Sequence, residues 1–123
     1  WEGSGNVMAL DVLRVLEREP DVAASVVEDL GRAVGDDAHL KAGLERVEAV
    51  LHEPRLIDRR GRLLTETLAV LWAGAILRTS APQVVADAFI ASRLSGLPRH
   101  TYGQGIDWAD ARAIVRRADP GAD

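Results

Sequence analysis

The chain contains no cysteine, which excludes disulfide bridges, zinc–thiolate sites and iron–sulfur ligation. Redox chemistry therefore places no constraint on compartment, and a cytoplasmic location is the plain expectation. Long apolar runs are missing too. The longest uncharged stretch within a helical pattern is Thr67 to Leu77, far short of the roughly 20 apolar residues a bilayer requires, so no membrane partner is expected. The first residues lack a basic region and an initiator methionine, so they do not form a signal peptide. They open within a Gly-rich motif, which leads us to expect a segment of a longer chain. Strict apolar–polar alternation over a strand length is absent, as are internal repeats, low-complexity tracts, a P-loop and any defensible Ser-His-Asp or Cys-His nucleophile set.

What remains is 123 residues, 47% hydrophobic and 28% charged, with aromatics at only 4%. That composition fits one globular unit able to bury a core that offsets its ordering entropy. The net charge of −4 is unevenly spread. Residues 1–53 hold 5 basic and 12 acidic side chains, whereas residues 54–123 hold 10 and 7. All ten basic residues of the second half are arginines, the side chain best matched to phosphate. Such asymmetry marks either a surface that meets an anionic partner or helix faces solvated by charge.

Apolar spacing predicts helices almost throughout. The first runs from about Asn6 to Glu19, with Asp11, Arg14 and Arg18 as a narrow polar stripe on an apolar cylinder, and should be mostly buried. Pro20 ends it and opens the second, about Asp21 to Val34, which stops at Gly35. Asp36 is the expected N-cap of a third helix that carries Leu40, Leu44, Val47 and Leu51 on one stripe. The fourth covers about Arg55 to Thr79. Gly61 offers a kink, and the half from Leu68 to Leu77 should be the most buried element. Ser80 and Gln83 match a capping box for a fifth helix ending near Leu94. A loop over Gly96–Gly105 precedes a short last helix, about Trp108 to Ala118, capped by Asp107, with Trp108, Ala111 and Val115 inward. Short turns between consecutive helices imply antiparallel neighbours. The expected fold class is all-α, an up-down antiparallel bundle of about five to six helices.

The stretch that carries chemistry is Trp1-Glu2-Gly3-Ser4-Gly5-Asn6, leading directly into the first helix. Glycines let backbone approach a ligand closely. The helix start that follows offers free N–H groups and a positive dipole end, and Ser4 and Asn6 are competent caps and donors. A carboxylate beside an aromatic ring, shielded from water, can serve as a base. An ordinary capped turn, with Trp1 as a staple, accounts for the same residues.

Together with Val7-Met8-Ala9-Leu10-Asp11-Val12-Leu13-Arg14, this motif resembles the flavin-dependent acyl-CoA dehydrogenases, and within them the adaptive (alkylation-response) branch. The family's general form is Tyr-Glu-Gly-Thr; Trp1 stands for the tyrosine and Ser4 for the threonine, keeping the hydroxyl. The resemblance implies that residues 1–19 close the helical domain of the dehydrogenase and that 20–123 form a helical C-terminal extension. It implies Glu2 as the catalytic base, Gly3 in contact with an acyl-CoA substrate, and Ser4, Gly5 and Asn6 in contact with FAD. It further implies a homotetramer. The main flavin-binding body lies outside these residues, so this segment alone is expected to be inactive. Duplex DNA is a further partner of that branch, with Arg14 and Arg93 as the matching basic residues. The net charge of −4 gives no overall attraction to DNA.

Other residues carry less. Arg55, Arg59 and Arg62 fall at i, i+4, i+7 beside Arg60, either as a phosphate-facing stripe or as a solvated face with Glu66 and Asp58. His39, His52 and His100 sit on three segments without metal-ligand spacing, so no metal is expected. Trp72 belongs with the core rather than a stacking platform. Arg99, His100 and Tyr102 share the Gly-rich loop and could meet a ligand or a neighbouring subunit.

Overall fold

The computed structural model describes the backbone at residues 4–96, 108–119 and 121, and side chains at these positions except 4, 6, 54–59 and 108. Six helices make up this part, and it contains no strand. They are α1 (Ser4–Arg18), α2 (Pro20–Val34), α3 (Ala38–Leu51), α4 (Pro54–Ser80), α5 (Gln83–Leu94) and α6 (Trp108–Ala118). The all-α bundle read from the sequence is the observed architecture. α4 is its spine and packs against α1, α2, α3 and α5. Among the described residues α6 packs on α5 alone.

Local chemistry accounts for most boundaries. Pro20 takes the first turn of α2, where its missing N–H costs nothing. Gly35 stops α2 at φ 56°, a left-handed backbone that side chains with a Cβ rarely adopt. The N-cap of α3 is Asp37 rather than Asp36. Its Oδ1 accepts from the N–H groups of His39 and Leu40, both at 2.9 Å. Asp36 instead meets the Lys41 ammonium at 3.4 Å. The capping box expected at Ser80 and Gln83 does not form. Ser80 Oγ donates back to the Ile76 carbonyl at 2.7 Å, which closes α4, and Pro82 occupies the N-cap position of α5.

The core is a layer of aliphatic side chains contributed by α1 to α5. Leu30, Leu40, Leu64, Leu71, Ile90, Val34 and Val47 are fully enclosed. Two glycines let helices approach where any Cβ would collide. A Cβ at Gly43 of α3 would lie 2.7 Å from Leu71 Cδ2. A Cβ at Gly61 of α4 would overlap Leu13 of α1. Gly61 does not split α4, which runs unbroken from Pro54 to Ser80. The glycine seats the Leu13 side chain instead.

Three burial expectations are corrected. α1 is not mostly buried: Ala9 and Leu13 face the core, but Val7, Met8, Leu10 and Val15 are exposed. A helix apolar on every side needs neighbours on every side, and among the described residues α1 touches only α2 and α4. Val115 of α6 is 67% exposed rather than inward, for the same reason. In the apolar half of α4, Leu71 and Ala75 are buried but Ile76 is exposed. α5, with Ala86, Ala88, Ile90 and Leu94 buried, presents less of itself to solvent. Trp108 and Asp107 offer no comparison: the side chain of the first and all of the second lie outside the described residues.

Candidate functional site

The first described residue of the motif, Ser4, begins α1, and Gly5 and Asn6 continue its first turn. The opening N–H groups of any helix lack carbonyl partners four residues back, so they are free to bind an acceptor. No acidic side chain sits in this first turn to compete for them. Gly5 is exposed, and a Cβ built on it meets no heavy atom within 4 Å. Trp1, Glu2 and Gly3 lie outside the described residues, as do Arg99, His100 and Tyr102. The described part of the motif thus offers a helix start with an exposed glycine, Gly5, and backbone N–H donors.

The basic residues singled out in the sequence do not converge. Arg14 Nη1 is held 2.9 Å from Asp11 Oδ1 one turn back, in an exposed ion pair. Arg93 is half-buried on α5 and is not free. α1 and α5 share no contact among the described residues. Arg60 and Arg62 on α4 are exposed, and the side chains of Arg55 and Arg59 lie outside the described residues. Arg60 and Arg46 flank a small cleft of about 160 Å³ between α3 and α4, above Val47, Val50 and Leu64. Arg46 is already committed: its Nε donates to the Ala42 carbonyl and its Nη2 to the Leu94 carbonyl, across 2.9 and 3.3 Å. It ties the end of α5 to α3.

His39 and His52 are exposed on α3 and just past its end. His52 Nδ1 lies 2.7 Å from the Glu48 carbonyl. Among the described residues no group of histidine and acidic side chains has the geometry of a metal site. Sequence reasoning missed one feature. An open apolar groove of about 390 Å³ runs between α1, α2 and α4, lined by Val12, Val15, Leu16, Val22, Val26, Leu68 and Trp72, with Asp11 at its edge. Trp72 is half-buried and forms part of this wall as well as packing against the core. The signal was present as the all-round apolarity of α1, which was read as burial.

No family model matches the chain, and no solved structure matches it. One curated protein is similar. The chain is 35% identical over 89 residues to the Escherichia coli (strain K12) protein named "Putative acyl-CoA dehydrogenase AidB". The match covers 72% of this chain and 16% of that protein. The chain is thus a partial relative of an acyl-CoA dehydrogenase-type protein and spans about one sixth of its length. No helix among the described residues is long and apolar enough to cross a membrane.

Proposed function

We propose that this chain is the C-terminal helical part of a flavin-dependent oxidoreductase that oxidises an acyl-CoA thioester at its α,β-carbons. Residues 1–19 would close the catalytic helical domain, and residues 20–123 would form an extension packed on it. The similarity over 89 residues to an acyl-CoA dehydrogenase-type protein carries this reading. The helix start at Ser4 supports it, because the opening N–H groups of a helix, here with the exposed Gly5 among them, fit an acceptor-rich cofactor.

FAD, when bound, supplies the acceptor for the hydride that leaves the β-carbon. The roles of this chain's own residues follow from their chemistry. The Glu2 carboxylate takes the α-proton, which is acidified by the neighbouring thioester carbonyl. The backbone at Gly3 orients that carbonyl. Ser4, Gly5 and Asn6 would hold the cofactor edge, with hydroxyl, backbone N–H and amide groups as the donors available by residue type. An aromatic ring beside that carboxylate, as the order Trp1-Glu2 would allow, would suit a base kept from water.

The test uses the full-length protein that carries this segment. It should purify yellow, and an acyl-CoA should bleach the flavin absorbance anaerobically. Glu2→Gln should retain the colour and lose the bleaching by at least about 100-fold in rate, the usual scale for a general base. Equal bleaching by both proteins would remove Glu2 from the reaction. Duplex DNA, the other partner named from Arg14 and Arg93, gains no support from the geometry: one arginine is ion-paired and the two stand on helices that do not touch.

A further inference from the structure

We propose that the cleft between α3 and α4 is a binding site for a small carboxylate with a ring-sized apolar body, whose charged end is held by Arg60. The floor of the cleft is Val47, Val50 and Leu64, all buried, and its open sides are Ala49 and Leu63. Its volume is about 160 Å³. A dry cavity of about 150 Å³ lined by apolar side chains accepts a benzene molecule. The space therefore fits one six-membered ring.

The polar groups are arranged so that only one end of an occupant can carry charge. Thr67 is buried in the wall, and its hydroxyl spends its one hydrogen on the Leu63 carbonyl at 2.7 Å. No buried side-chain nitrogen or oxygen among the described residues lacks a partner. The side chains of the floor thus offer no free donor, and a polar atom placed there would lose its water without replacement. Water over such a floor is poorly bonded, and an apolar ring displaces it favourably. The rim differs. Two cations, Arg46 and Arg60, stand there, and among the described residues no acidic side chain lines the cleft.

The two arginines have separate parts. Arg46 is fixed by the Ala42 and Leu94 carbonyls. Those acceptors are neutral, so its charge remains uncompensated at the rim. Arg60 is exposed and makes no hydrogen bond or ion pair among the described residues. Arg14, Arg32 and Arg78, by contrast, each face a carboxylate. The planar fork of Arg60 is free to take both oxygens of one carboxylate. A ring that bears a carboxylate sets its apolar body on the floor and its charge at the fork. So small a ligand binds with a dissociation constant on the order of 0.1–1 mM. This inference does not rest on the flavin reading: neither Glu2 nor a cofactor takes part, and the experiment uses this chain alone.

Two-dimensional NMR of the isotope-labelled chain, titrated with benzoate to about 10 mM, tests it at concentrations well above that constant. Amide shifts should saturate and concentrate at Val47, Val50 and Leu64. Benzyl alcohol, with the ring but no charge, should bind at least about tenfold more weakly, and acetate, with the charge but no ring, should not saturate. Arg60→Gln should weaken benzoate at least about tenfold and leave benzyl alcohol as it was, a difference that a merely structural role would not produce. Ala49→Phe, at an exposed position, should keep the helical circular dichroism and abolish benzoate binding by filling the cleft. Shifts that never saturate, saturation centred on the groove beside Trp72, benzoate and benzyl alcohol binding alike, or undiminished binding by Arg60→Gln would each overturn the proposal.

Discussion

Arg78, in the last turn of α4, donates from Nη1 to the carbonyl of Val34 at the end of α2, 3.1 Å away and 44 residues distant in sequence. The same nitrogen stands 4.0 Å from Asp37 Oδ2. One cation therefore meets an orphan carbonyl at a helix C-terminus and the carboxylate that caps the next helix. The α2–α3 turn is held at both its ends, and Gly35 brings its backbone close: a Cβ there would lie 3.8 Å from the guanidinium.

Replacing Arg78 with Gln should cost about 1 kcal/mol, since the hydrogen bond to a half-buried carbonyl is lost while the partly exposed ion pair contributes little. Urea denaturation followed by circular dichroism reads the change. A midpoint equal to that of the unmodified chain would mean that the turn holds itself.

Asp37→Ala should cost more than a generic cap. The substitution leaves the His39 and Leu40 N–H groups without their acceptor and removes the carboxylate facing Arg78. We expect about 1–2 kcal/mol from the same unfolding curves. Asp36→Ala, one residue earlier, should be nearly silent, because its contact to Lys41 is exposed.

Gly43 and Leu71 should behave as a coupled pair. Gly43→Ala alone gains helix propensity but pushes its Cβ into the fully enclosed Leu71, so a net loss of about 1–3 kcal/mol is expected. Leu71→Ala alone should cost about 2–5 kcal/mol through the cavity it leaves. In the double variant the alanine at 43 occupies vacated space, and the combined loss should fall short of the sum by more than about 0.5 kcal/mol. Strict additivity in this cycle would show that the two helices are free to move apart.

A gel-shift experiment with a short duplex and this chain should show no retardation near physiological salt. Phosphate contacts supply non-specific affinity, and here the chain is net acidic, with Arg14 ion-paired to Asp11. If retardation does occur, its salt slope should fall by about one unit for each arginine that contacts phosphate when that residue is changed to Gln. That result would restore Arg14 and Arg93 as a recognition pair.

The motif and the fold were legible in the sequence to different depths. Proline and glycine act on their own backbone, so Pro20 and Gly35 announced the ends of α1 and α2 without reference to the rest of the chain. Capping is less local. Asp36 and Asp37 are equally good caps by residue type, and the choice fell to Asp37, which also faces Arg78. Ser80 could bond forward to α5 or back to α4, and it closed α4. Gly61 read as a weak point in a long helix because its partner, Leu13, is 48 positions away in the sequence.

Composition and spacing by themselves determined that this chain is helical and that one short motif leads into the first helix. Those properties arise from backbone preferences and from apolar residues recurring every three to four positions, both of which act within a few neighbours. Which apolar residues would be dry was decided only when the helices met. Leu13 and Val15 are two positions apart on the same helix, yet one fills the notch at Gly61 and the other faces water. Burial depends on which partner arrives at which face, and that is a property of the assembled bundle.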